Sequence, residues 1–160
     1  MKACFSRQIT AEEDWQITCH EAGHAVQAVK HHFFFEYVQR GEGEHGELKP
    51  CECPLDYPDR CWSEDMLSKW QQFYAGGAAA ELLVPGRYRP HGLKRDMLLH
   101  GNLEAMRQQR RHDAWAKDIH AALQVMDLES IEKVAQKLAE EKKLTDEQVY
   151  ALFGLKPPWW

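Results

Sequence analysis

The feature that most constrains this chain is the run Cys19-His20-Glu21-Ala22-Gly23-His24-Ala25, which contains the pattern H-E-x-x-H. In an α-helix, residues four apart lie one turn above each other on the same face, so His20 and His24 aim their imidazoles at one shared point. That point suits a zinc ion, which neutral imidazole binds at roughly 2.0–2.1 Å. Glu21 then stands beside the metal without having to bind it. A carboxylate there can take a proton from a water whose pKa zinc lowers to about 7, and deliver it to a leaving amine.

The bare pattern recurs by chance, so its surroundings decide whether the geometry is available. Thr10 followed three residues later by Glu13 is a capping box, and it predicts a helix from Ala11 to about Lys30. Ala25, Val26, Ala28 and Val29 continue an apolar surface beyond the motif. Gly23 costs roughly 1 kcal/mol in a helix interior relative to Ala, which implies that a second helix or the metal site packs closely there. Cys19 points about 100° away from His20 and reads as core.

Catalytic zinc takes three protein ligands and keeps one position open, so a third group must come from elsewhere. Glu81, His91, Asp96 and His100 are the candidates, and composition does not choose among them. Ser63 caps a second helix running to about Val84, in which Met66, Leu67, Trp70, Phe73, Tyr74, Ala78, Leu82 and Leu83 recur near helical spacing. Its small run Ala75-Gly76-Gly77-Ala78-Ala79-Ala80 allows an unusually close approach to the first helix. Glu81 on that helix either reaches solvent or hydrogen-bonds the free ring nitrogen of a ligand histidine.

Between the two helices, Phe33 to Arg40 reads as a strand. Glu44 to Lys49 is a second strand or a glycine-rich loop; as a strand it offers an edge on which an extended peptide can pair. Leu55 to Trp62 reads as loop. Pro85-Gly86 ends the second helix, and a basic loop from Arg87 to Lys94 follows, with Asp96 opening the next helix. From Asn102 to about Met126 the chain reads as a long amphipathic helix, broken near His112-Asp113, with Arg107, Arg110 and Arg111 on a solvated face. Leu128 to Lys142 is another helix, buried through Ile131, Val134, Ala135 and Leu138. Thr145 caps a last one that Gly154 closes.

These elements predict one domain over residues 1–160, α+β and mostly α-helical, with a small β-sheet. No apolar run approaches the roughly 20 residues of a membrane span. Met1-Lys2-Ala3-Cys4-Phe5 has no signal-peptide pattern, so a cytoplasmic location is expected. A net charge of −5 argues against general nucleic-acid binding. Five cysteines, an odd number, read as free thiols. Cys51, Cys53 and Cys61, with His45, allow a second metal site in a proline-rich loop, although the spacing is not a zinc knuckle. The Trp159-Trp160 tail either docks on a partner or packs back.

Together these residues resemble the peptidase domain of the FtsH-type ATP-dependent zinc metalloproteases. Glu12-Glu13 leading to His20-Glu21-Ala22-Gly23-His24-Ala25 is similar to that family's H-E-A-G-H-A helix, Gly76-Gly77-Ala78-Ala79-Ala80-Glu81 to its G-G-x-x-A-E helix, and Lys94-Arg95-Asp96 stands where the family has Ser-Asn-Asp. The run from Val134 to Val149 is a weaker match to the domain's end. The resemblance implies a zincin-like fold, Zn2+ held by His20, His24 and Asp96, Glu21 as general base and Glu81 as a neighbour of the metal outside its ligand shell. It further implies a metalloendopeptidase acting on unfolded or flexible polypeptide, an ATPase partner supplied in trans, and a homo-oligomer, six-membered in the family. Two departures stand out. The family's ATPase module is not in these residues, and Gly41 to Cys61 differs from the family's strand and loop. The competing expectation is a catalytically silent, zinc-stabilised regulatory or interaction module.

Overall fold

A computed structural model describes residues 8–86 and 92–158. The fold is α+β and mostly helical, with six α-helices and a three-stranded antiparallel sheet among the described residues. Helix α1, Ala11–Lys30, starts at the expected capping box: Glu13 N donates to Thr10 Oγ1 at 3.1 Å and Thr10 N to Glu13 Oε2 at 2.9 Å. From Gln16 to Val29 every residue of α1 is buried. This helix is therefore the axis of the molecule rather than a surface element with one wet face.

Helix α2, Glu64–Leu83, capped by Ser63, packs along α1. The two backbones nearly touch: a Cβ added to Gly23 would collide with the Gly76 carbonyl, and one on Gly76 would lie 2.9 Å from the Gly23 carbonyl oxygen. Here the helical cost of the glycine is offset by contact that no side chain permits. Phe33 stacks on Trp70 with ring centroids 4.1 Å apart, and with Phe73 and Tyr74 they form the aromatic part of the core.

The sheet runs β2-β1-β3, with β1 at Phe35–Arg40, β2 at Gly46–Pro50 and β3 at Lys143–Thr145. A bulge between Phe35 and Tyr37 shifts the alternation, so Phe35, Val38 and Arg40 all face inward. The strand-or-loop alternative at Glu44 to Lys49 resolves as strand, and β2 is an edge strand lying against α1. Strand β3 has no counterpart in the sequence reading, because three residues are too few to show alternation.

Helix α3 is Leu93–Ala105, so it begins three residues before Asp96, behind a left-handed Gly92 that offers no side-chain cap. The break expected near His112-Asp113 in the Asn102 to Met126 segment is present and begins earlier: α3 ends at Ala105 and α4 spans Ala114–Val125. The reason lies in the arginines. Arg107 and Arg111 do not sit on a solvated face but turn into a polar cluster with Gln71, Glu104 and Asp118, which holds the intervening loop against α2 and α4. Helix α5, Leu128–Glu141, buries Ile131, Val134, Ala135 and Leu138 as expected, and α6, Asp146–Leu152, starts at a capping box between Thr145 and Gln148. No helix among the described residues is long and apolar enough to cross a membrane. Trp159-Trp160 and most of the Arg87 to Lys94 loop, with candidate His91, lie outside the described residues.

Candidate metal centre

The site is built on α1, and α2 aims its histidines. His24 Nδ1 lies 2.9 Å from the Phe73 carbonyl oxygen, and His20 Nδ1 lies 2.7 Å from Glu81 Oε1. A carbonyl and a carboxylate can only accept, so each Nδ1 carries its hydrogen and donates outward. In the neutral rings the Nε2 lone pairs then point inward. Gly77 packs directly against the His20 ring, where any Cβ would collide with Nε2.

Asp96, from the first turn of α3, completes the cluster. Its Oδ2 lies 2.9 Å from His20 Nε2 and 3.2 Å from His24 Nε2, and the two Nε2 atoms are 3.1 Å apart. Tetrahedral zinc with bonds of roughly 2.0–2.1 Å separates its ligand atoms by about 3.3 Å, so this triangle is already near the size such an ion requires. His20, His24 and Asp96 are 2%, 5% and 8% exposed. Three buried acceptors facing one point repel unless a cation or a proton lies among them. The residues therefore fit zinc, and the same geometry also fits an imidazolium. Burial opposes a charged His20, but Asp96 and Glu81 outweigh it and push its pKa up to about 10. His24 is also raised, with Asp96 overcoming its burial. The two histidines hold Asp96 well below the usual carboxylate range against its own burial.

Of the candidates for the third position that lie among the described residues, Asp96 alone joins the histidines. Glu81 binds the far side of the His20 ring, and its Oε2 accepts from Gln16 Nε2 at 3.0 Å. His100 lies elsewhere, paired through Nε2 to Asp118 Oδ2 at 2.7 Å. Among the described residues, Cys51, Cys53, Cys61 and His45 form no group close enough to share an ion, and Cys19 is fully buried.

Glu21 is 7% exposed, and burial pushes its pKa up despite the pull of His20 and His24. Strand β2 passes over it so closely that a Cβ on Gly46 would lie 2.7 Å from Glu21 Cγ and 2.8 Å from Oε1. The carboxylate and both histidines line a cavity of about 340 Å³ whose other walls include Leu48 on β2, Leu55, Phe73, Tyr74 and Leu99. One wall is thus an edge strand and much of the rest is apolar. Sequence reasoning missed the Phe73 carbonyl, because a backbone acceptor leaves no residue signature, and it missed Gly46 as the residue above Glu21.

No protein-family model matches the chain, and no curated protein matches it either.

Proposed function

We propose that the chain is a zinc metallopeptidase with a zincin-like site, held by His20, His24 and Asp96, that cuts unfolded or flexible polypeptide. The observation that carries this reading is the meeting of three buried acceptors at near-tetrahedral spacing, beside a buried carboxylate that takes no part in the triangle. The resemblance of His20 to Ala25 and of Gly76 to Glu81 to the FtsH-type peptidase domain supports it.

Zinc, when bound, supplies a Lewis acid that polarises a carbonyl and makes water more acidic. The chain's own residues do the rest. Glu81 and the Phe73 carbonyl fix each imidazole in the tautomer that presents Nε2. Glu21, raised in pKa by burial, accepts a proton from water as general base and passes it to the departing amine as general acid. The outer edge of β2, unpaired among the described residues, pairs with an extended main chain, and the apolar wall of the cavity excludes water around the scissile bond. A cavity of this size beside an edge strand takes an extended segment and not a folded domain. Stable substrates would then have to be unfolded first, for which an ATPase acting in trans, and a ring of this chain's copies, are the partners the resemblance implies.

Glu21→Gln tests the reading. It should keep one zinc per chain while turnover of casein falls by about 10²–10⁴-fold, and wild-type cleavage should stop with chelator and return with zinc. Unchanged turnover by Glu21→Gln would remove Glu21 from its role. A second reading rests on the ion pair between His20 and Asp96: a proton-filled or metal-filled cluster that only stabilises an interaction module. Wild-type protein inert toward flexible polypeptide, with or without added zinc, would favour it.

A further inference from the structure

We propose that Arg40 is the positioning residue for Glu21: its guanidinium folds the β1–β2 loop onto α1 and thereby holds Gly46 against the Glu21 carboxylate. The kinetic consequence rests on the metallopeptidase reading above, whereas the positional claim does not.

Arg40 closes β1, and its side chain is 2% exposed. Its Nη1 donates to the carbonyls of Gly41, at 2.9 Å, and His45; its Nη2 donates to the carbonyl of Gly43, at 2.5 Å, and to Asp14 Oδ1, at 2.7 Å. Three carbonyls of one short loop therefore turn inward onto a single cation. A guanidinium suits this arrangement because its donors spread in a plane; an ammonium presents three from one point. Asp14 supplies the countercharge that a buried cation needs.

The placement of Asp14 makes the device specific. Asp14 and Glu21 are seven residues apart on α1, two turns along nearly the same face, roughly 10.5 Å at 1.5 Å per residue. The hairpin thus meets that face twice, through Arg40 at Asp14 and through Gly46 at Glu21. Almost no slack separates the two. Arg40 grips the His45 carbonyl, Gly46 follows immediately, and Arg40 and Gly46 are partners across the β1–β2 ladder. The Arg40 amide also donates to the Lys142 carbonyl at 2.8 Å, which ties the end of β1 to the end of α5. Without the guanidinium the Gly41 and Gly43 carbonyls must find water, and the His45 carbonyl keeps only the Gly41 amide, at 2.8 Å. The loop then lifts, Gly46 leaves Glu21, and the carboxylate gains rotamers that do not serve proton transfer.

The test uses the zinc-loaded 160-residue chain carrying Arg40→Met, Arg40→Lys or Asp14→Asn, with hydrogen exchange, zinc content, kcat and KM as readouts. Arg40→Met should keep one zinc, speed amide exchange at least tenfold in residues 41–46 while leaving α2 and α5 protected, and lower kcat by about 10- to 100-fold with KM within about threefold. Arg40→Lys should recover part of both effects. Asp14→Asn, which removes a carboxylate that is half exposed, should produce them in smaller measure and replaces Arg40→Met if that variant does not fold. Exchange at 41–46 that matches wild type, or that rises equally throughout the chain, overturns the proposal. Wild-type protein without peptidase activity would sink the metallopeptidase reading alone, because exchange in residues 41–46 still decides the role of Arg40.

Discussion

Filling the centre of the His20, His24 and Asp96 triangle with zinc must expel whatever proton holds it together in the metal-free protein. His20 without metal is pushed up to about 10, so at neutral pH it carries a proton between Asp96 and Glu81. Zinc needs that Nε2 lone pair, and binding therefore releases at least one proton below pH 10. Each released proton weakens apparent affinity tenfold per unit fall in pH, or about 1.36 kcal/mol. Between pH 8 and pH 6 zinc binding should weaken about 100-fold for one proton, and more if His24 releases a second. The stability of metal-free protein runs with the opposite sign. A histidine raised from 6.5 to about 10 on folding stabilises fully below about pH 6.5, and that contribution is lost as pH rises through about 10. Chelated protein should thus lose a few kcal/mol between those limits, while zinc-loaded protein gains metal affinity over the same range. Calorimetric titration of zinc in two buffers of different ionisation enthalpy counts the protons, and thermal melts with and without chelator give the stabilities. Zinc binding at pH 7 that releases no proton, or chelated protein equally stable at pH 6.5 and 9.5, would refute the reasoning.

Other consequences follow from neighbouring residues. Glu81→Gln keeps a side chain of the same shape but weakens the hold on His20 Nδ1, so zinc affinity measured by competition with a chromogenic chelator should fall about 10- to 100-fold. Arg111→Met leaves Glu104 and Asp118 without their shared cation and should cost about 3 kcal/mol, a drop in Tm of about 10 °C at about 3 °C per kcal/mol. Burial alone would raise Glu104, but hydrogen bonds from Arg111 and Gln71 hold it down at about 2. Its contribution is present above about pH 4.5 and is lost as pH falls through about 2, so acid unfolding of Arg111→Met should begin at higher pH than in wild type.

Most of what could be read without coordinates depends on neighbours along the chain. The capping box at Thr10 and Glu13, the bounds of α1, the shared face of His20 and His24, and the small residues of α2 all follow from spacings within a turn or two. Such geometry is local, and the backbone period alone decides it. The same locality explains the misreading of Arg107 and Arg111. A run of arginines on a helical period looks solvated until Glu104, Asp118 and Gln71 are seen to surround it.

What joined distant segments belonged to the tertiary structure. The choice of Asp96 over His100, the Phe73 carbonyl behind His24, the passage of Gly46 over Glu21 and the grip of Arg40 on its loop each link residues tens of positions apart or depend on backbone atoms. His100 and Asp96 lie four apart on one helix, and local spacing does not separate them, whereas the resemblance of Lys94-Arg95-Asp96 to Ser-Asn-Asp points to Asp96; packing of α3 against α2 and α4 sends one to the histidines and the other to Asp118. The sequence determined which groups a single helix can aim at one point. Only the closing of the chain on itself decided which other groups meet them there, because long-range convergence is set by how buried surfaces fit and not by the period of any one element.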